Sequence, residues 1–153
     1  MSLQMREIDG NVIFCEDIRS EENGQVSYIG VFPTQRGMFD VDDDGDIRLP
    51  RFSMACYLKI PTEYAGEKPQ VVVRTLAENG DTSEVASDTM TEVPRYQDKR
   101  VAAGLLHIQL VGFSAKPDQR VVVDLYVADK EKRIGSFRLV GRSKSETLPD
   151  IPS

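Results

Sequence analysis

Apolar and polar side chains alternate with a period of two along most of this chain, which is the pattern of β-strands that bury one face. The clearest run is residues 52–60, in which every second side chain from Phe52 to Ile60 is apolar. Further strands of the same kind are predicted at residues 106–110, 121–127 and 134–140. No segment combines a helical stripe of apolar residues with recognisable caps. The pattern therefore predicts an all-β fold.

Turn-forming residues separate these runs. Residues 11–18 and 26–32 flank Asn23-Gly24, a dipeptide whose two residues tolerate a positive φ, and this arrangement predicts a hairpin. The charged residues 129–132 predict a loop before the last strand. Further turn signals are Asn79-Gly80-Asp81 and Pro117-Asp118-Gln119.

Together these signals predict about eight short strands in an antiparallel β-sandwich, immunoglobulin-like or C2-like, because each strand has one apolar face to bury. A small β-barrel is the alternative. Residues 1–142 are predicted to form a single domain, since a chain of this length fits one hydrophobic core. Residues 143–153 contain two prolines and few apolar side chains, and they predict an extended C-terminal tail.

The chain carries a net charge of −6 at pH 7, which argues against a nucleic-acid partner, since such binders normally present a basic face. No apolar run approaches the ~20 residues that a membrane helix needs, and no export signal is visible. We therefore expect a cytoplasmic protein without membrane partners. Cys15 and Cys56 lie in apolar runs and are predicted to be buried free thiols; a disulfide between neighbouring strands is the alternative if the protein is exported.

The most distinctive local motif is the acidic segment at residues 40–47. Asp40, Asp42 and Asp44 match the opening of a calcium loop, in which alternate carboxylates converge on a hard cation. Gly45 follows them, where such a loop turns sharply. Arg51 stands at the twelfth position, where an EF-hand needs a bidentate glutamate, so the segment is not an EF-hand. Two interpretations remain, an acidic solvated loop and a looser calcium site formed by the three aspartates.

Residues able to support catalysis are sparse. His107 is the only histidine, and on its predicted strand it points outward with Gln109, without a nucleophile and an orienting acid beside it. Glu16 and Asp17 are adjacent, so their side chains point to opposite faces and cannot flank one glycosidic bond. No glycine-rich phosphate loop is present. We therefore predict that the protein is not an enzyme and expect no catalytic residue and no cofactor.

A small basic cluster comprises Arg95, Lys99 and Arg100, with Tyr96 between them. These residues are too few for a nucleic-acid site, and Asp98 dilutes their charge. The cluster predicts a solvated connection between strands.

The opening hairpin also supports a resemblance. Residues 11–19, Asn23-Gly24 and residues 27–32, with Leu49-Pro50 before the next strand, resemble a family of small bacterial and phage-encoded β-domains of unknown function. The resemblance lies mainly in residues 11–50, and elsewhere it extends only to the rhythm of the strands and the final hairpin. It implies a stand-alone β-domain of a bacterium or a phage, and it transfers no functional residues.

The predicted function is a non-catalytic protein–protein interaction or assembly module, since β-sandwiches without chemistry act through their loops and sheet edges. The expected partner is another protein or a second copy of the chain. A more specific form of this function is an accessory structural protein of a bacteriophage particle, a capsid decoration or tail component. The small size, the β-architecture, the proline-containing tail and the phage members of the resembled family all fit it, and such a protein would be located in the virion rather than the bacterial cytoplasm. The alternative is a calcium-dependent binding domain that uses the aspartates of residues 40–46.

Overall fold

The computed structural model describes residues 7–64, 66–90 and 101–142. Within these ranges the chain forms nine strands, two short 3-10 turns and no α-helix. The strands are β1 (Asp9–Ser20), β2 (Val26–Val31), β3 (Arg36–Asp40), β4 (Ile47–Pro61), β5 (Gln70–Leu76), β6 (Thr82–Thr89), β7 (Val101–Ala115), β8 (Arg120–Val127) and β9 (Lys130–Arg142). The 3-10 turns are Glu22–Gly24 and Thr62–Tyr64.

The strands form two open sheets that pack face to face. Sheet A has the order β2-β1-β4-β7, and sheet B has the order β3-β9-β8-β5-β6. Every pair is antiparallel except β3 and β9, which run parallel. The predicted β-sandwich is confirmed, with nine strands and one parallel pair rather than about eight strands in purely antiparallel sheets. The alternative of a small barrel is wrong, because both sheets end in edge strands.

Two local predictions need correction. No strand was expected at Arg36–Asp40, because Met38 and Phe39 are too short an apolar run to show a period. The loop expected at residues 129–132 is shorter than predicted, since only Asp129 lies in the turn and β9 already begins at Lys130. Ala128 has a φ of +54°, which closes a tight turn between β8 and β9 and leaves the following charged residues inside a strand.

Phe137 of β9 stands at the centre of the core between the sheets. Its ring centroid lies 5.1 Å from that of Phe14, 4.9 Å from that of Phe32 and 5.3 Å from that of Phe52. Those three rings come from β1, from the residue after β2 and from β4, so the cluster joins sheet B to sheet A. Burying one such side chain contributes about 1.5–3 kcal/mol, which makes this contact a main source of sheet-to-sheet cohesion.

The alternation along β7 shifts by one residue at Gly112. Leu110 and Phe113 lie on either side of it, three positions apart, yet both are buried in the core. Gly112 has a φ of +66°, a backbone conformation that glycine adopts without steric cost, and it lies opposite Pro50 of β4. Before this glycine β7 is regular, so its odd-numbered side chains up to Val111 point away from the core.

Candidate interaction surface

The outward-pointing side chains of sheet A form a face that combines polar clusters with an apolar border; we call it the outer face of sheet A. The border lies along β7, one of the two edge strands of the sheet. Its most exposed apolar side chains are Val111, Leu105 and Val101, which are 76%, 43% and 40% exposed. His107 and Gln109 lie between Leu105 and Val111 on the same face, so the structure places these two residues outward, as the sequence predicts.

The first polar cluster joins Tyr28 of β2, Tyr57 of β4 and His107 of β7. The Tyr28 hydroxyl lies 2.9 Å from Nε2 of His107 and 3.1 Å from the Tyr57 hydroxyl. Burial and the hydrogen bond with Tyr57 raise the pKa of Tyr28 to about 12. Burial lowers the pKa of His107 below its ordinary value. Both groups are therefore held neutral, which suits hydrogen bonding across a strand face better than proton transfer.

The second polar cluster surrounds Asp17 of β1, which is only 7% exposed. Its carboxylate accepts hydrogen bonds from Arg19 at 3.2 Å, from Arg51 at 3.1 Å and from the Gln109 amide. Burial raises the pKa of Asp17, but these hydrogen bonds and the Arg51 charge outweigh it and hold the pKa below its ordinary value. The adjacent Glu16 is exposed and takes no part in the cluster. Asp17 therefore serves as a saturated structural carboxylate, and both it and Glu16 line a cavity together with Phe32, Phe39 and Arg51.

The two cysteines are buried and free, as predicted. Cys15 lies on the outer face of sheet A beside Ser53, whereas Cys56 points into the core, so the alternative of a disulfide between them is wrong. Burial raises the pKa of Cys15, and it raises the pKa of Cys56 to about 12. Both thiols remain protonated at neutral pH, which makes them poor nucleophiles.

The acidic loop is organised around Asp42. Its Oδ1 accepts the backbone N–H groups of Asp44 and Asp46 at 2.9 Å each. Arg48 forms an ion pair with the other oxygen of Asp42 and lies 3.2 Å from the Asp44 carboxylate. The backbone hydrogen bond from Asp46 and the contact with Arg48 lower the pKa of Asp42. Arg48 thus balances part of the negative charge of this loop.

Asp40 stands apart from the other members of the expected calcium site. Its carboxylate pairs with Arg142 at 2.9 Å, while Asp46 pairs with Lys116. Among residues 7–64, 66–90 and 101–142, no group of three or more histidine, cysteine, aspartate or glutamate side chains is placed to hold a metal ion. The structure therefore does not bring Asp40, Asp42 and Asp44 together, and calcium binding stays a prediction.

Two further predictions fall outside the described residues, namely the basic cluster of Arg95, Lys99 and Arg100 and the tail at residues 143–153. Within the part of the chain that the structure does describe, no helix has the length and apolarity needed to span a membrane. Comparison with protein-family models and with curated proteins finds no match. The resemblance of residues 11–50 to small bacterial and phage-encoded β-domains therefore stays a prediction.

The position of β7 at a sheet edge was not predicted from the sequence. Its residues from Val101 to Ala115 include no aspartate, glutamate, lysine or arginine. One side of β7 pairs with β4, and no strand among the described residues pairs with its other side. The uncharged stretch is visible in the sequence alone, but only the sheet order shows that it lies at an edge. An edge strand of this kind presents alternating N–H and C=O groups to a further strand.

Proposed function

We propose that this chain is a non-catalytic interaction or assembly module that associates by strand addition at β7. The observation that supports the proposal is the composition of this edge, which runs from Val101 to Ala115 without a charged residue. Natural sheets usually protect a long edge with charges, proline or a covering element, because exposed backbone groups recruit other strands. Among the described residues, no charge, proline or further strand covers this edge, so with exposed Leu105 and Val111 beside it the edge fits a docking element.

The titratable groups on the outer face support the non-catalytic part of the proposal. Hydrogen bonds saturate Asp17, and His107 and Tyr28 contact each other in their neutral forms. General acid–base catalysis needs a group that exchanges protons near neutral pH with an unoccupied position beside it. The buried thiols of Cys15 and Cys56 lack the lowered pKa of a catalytic cysteine.

An accessory structural role in a bacteriophage particle, as capsid decoration or tail component, is the specific form of this function that we propose. The resemblance of residues 11–50 to small bacterial and phage-encoded β-domains supports it. Strand addition also suits such a role, because it adds a copy or a neighbouring strand without a catalytic centre.

The test is the mass of the chain in solution, measured by size-exclusion chromatography with light scattering over a range of concentrations. We expect the mass to rise above that of a monomer and Val111→Lys to weaken the association by roughly tenfold or more, since lysine is a common guard of natural sheet edges. Val111 is 76% exposed, so this substitution leaves the fold and its melting midpoint nearly unchanged.

The matched control is Val85→Lys, which places the same charge on β6, one of the two edge strands of sheet B. We expect this variant to associate like the unmodified chain. A chain that stays monomeric throughout, or one that both lysine variants weaken equally, would contradict the proposal.

A further inference from the structure

The regular part of β7 has a symmetric pattern of side chains about Ile108. Glycines stand at both ends of the segment, Gly104 and Gly112, and each is followed toward the centre by two apolar residues and one polar residue. The polar residues next to the centre are His107 and Gln109. The segment therefore presents nearly the same types of side chain when it is followed in either direction.

A two-fold interface requires this kind of symmetry, because each contact between residue i of one copy and residue j of the other occurs twice with the roles exchanged. We propose, on the basis of the function proposed above, that β7 pairs antiparallel with β7 of a second copy of this chain about Ile108. The two copies then form one continuous sheet of eight strands from their two four-stranded sheets A.

In this register, apolar side chains lie opposite apolar ones and polar side chains opposite polar ones on the outer face. Leu105 lies opposite Val111 of the partner subunit, and the contact occurs twice because of the two-fold axis. His107 lies opposite Gln109 of the partner subunit, so that polar groups meet between the two apolar pairs. Opposed side chains on one face of an antiparallel pair approach to about 4.5–5.5 Å between Cβ atoms, which is close enough to remove Leu105 and Val111 from water.

The charge of the chain favours a self-pairing at this edge over one elsewhere. Each copy carries a net charge of −6, so two copies repel each other at long range. Since β7 has no charged residue, its antiparallel pairing places no like charges opposite one another. Association is then limited by general repulsion and not by a specific clash at the junction.

The size of the junction sets the expected affinity. The nine residues from Gly104 to Gly112 span roughly 30 Å, and a strip about 10 Å wide on each copy buries about 600 Å² in total. That area lies in the range of weak and transient contacts, below the ~1,000 Å² of a stable interface. We therefore expect a dissociation constant in the micromolar range or above, and the experiment needs protein at about 100 μM.

A different register of the same strand is the nearest rival. Pairing about Leu106 would place Val101 opposite Val111 of the partner subunit, and Leu105 opposite His107. That arrangement sets an apolar side chain against an imidazole and breaks the match between the two glycines. The two registers predict different neighbours for Val111, so a cross-linking experiment separates them.

The experiment mixes two single variants, Leu105→Cys and Val111→Cys, in equal amounts under mild oxidation. In the proposed register the two new thiols lie directly opposite each other, within the ~6 Å between Cα atoms that a disulfide spans. We expect roughly half of the dimers to be mixed and to cross-link, as seen on a non-reducing gel. Each variant alone gives little cross-linking, because identical positions are about 20 Å apart along the strand. Cys15 and Cys56 are fully buried, so they do not take part in the cross-linking.

Two outcomes would overturn the inference. Cross-linking of a Val101→Cys and Val111→Cys mixture in place of the first mixture would show pairing about Leu106. Absence of cross-links in every mixture, while Val111→Lys still disrupts association, would show that the edge docks without two-fold pairing of β7. In that second case the proposed function stands and only the two-fold pairing fails.

Discussion

The edge strands β6 and β7 lie on the same side of the sandwich, but they differ in the charge of their side chains. β7 is a strand of 15 residues without a charged side chain, whereas β6 has eight residues and includes Glu84 and Asp88. Antiparallel pairing of β6 with itself about Ala86 would bring Glu84 of each copy close to Asp88 of the other, and the irregularity at Val85, where the pairing with β5 shifts by one residue, also interrupts this edge. The same symmetry operation that groups apolar residues at β7 therefore groups like charges at β6. We infer that, in the part of the chain that the structure describes, charge protects the β6 edge and nothing protects the β7 edge.

The two remaining edge strands, β2 and β3, show other means of protection. β3 has Arg36 and Asp40 at its ends and only five residues. β2 has no charged residue, but it is six residues long and is interrupted by Gly30, which has a φ of +67°. A residue in that conformation cannot continue a regular ladder. Length, charge and regularity thus favour β7 over the other three edges.

Removing the charges of β6 should break the contrast between the two edges. We expect the double variant Glu84→Thr, Asp88→Thr to associate through a second edge and to form species larger than a dimer. Like charges placed directly opposite weaken a strand pair, so their removal is expected to strengthen pairing at β6 about tenfold. Light scattering at high concentration measures the change, and threonine preserves the β-propensity of the strand.

The matched control for that variant is Glu78→Thr, which removes a charge from the exposed turn before β6 instead of from the strand. It should leave the mass distribution unchanged. If the double variant behaves like this control, something other than charge keeps β6 from pairing. Charge would then not explain why the two edges differ.

A smaller effect is expected from pH, because His107 lies at the proposed junction. Burial lowers the pKa of His107 below its ordinary value, so the folded chain favours the neutral imidazole, whose Nε2 lies 2.9 Å from the Tyr28 hydroxyl. Neutral His107 stabilises the folded state at pH values above the pKa that this histidine has in the unfolded chain. That stabilisation is lost as the pH falls through the lowered pKa of His107 in the folded chain. We expect association to weaken roughly two- to tenfold between about pH 7.5 and 5.5.

His107→Gln should remove most of this pH dependence while retaining a hydrogen bond to Tyr28. The measurement is the dissociation constant of each variant at several pH values. A pH dependence that is equally strong in His107→Gln would assign the effect to other groups and would weaken the case that His107 lies at the junction.

The sequence predicted the sheets more completely than it predicted the surface. Alternation of the kind seen from Phe52 to Ile60 reflects burial on one face, which is a local property that a single strand displays. The β-sandwich and the outward position of His107 followed from it. β3 was missed because five residues with Met38 and Phe39 at the centre carry too little periodicity, and its parallel pairing with β9 depends on contacts between distant segments.

The candidate surface could not be identified in the same way. The uncharged composition of β7 and its symmetry about Ile108 are both visible in the sequence. Their meaning depends on β7 lying at the end of a sheet, and strand order is set by pairings across the whole chain. For the same reason the sequence suggested a calcium loop from Asp40, Asp42 and Asp44, while the positions of Arg48 and Arg142 beside them emerge only in three dimensions.

Hydrogen exchange of the unmodified chain at low and high concentration tests the central claim most directly, because it compares the two edges in one sample. We expect the amides of β7 that face away from β4 to exchange quickly at about 1 μM and to become protected at several hundred micromolar, as strand pairing covers them. The amides of β6 should exchange at the same rate at both concentrations. Exchange at β7 that is independent of concentration, or protection that appears at β6 instead, would contradict the account.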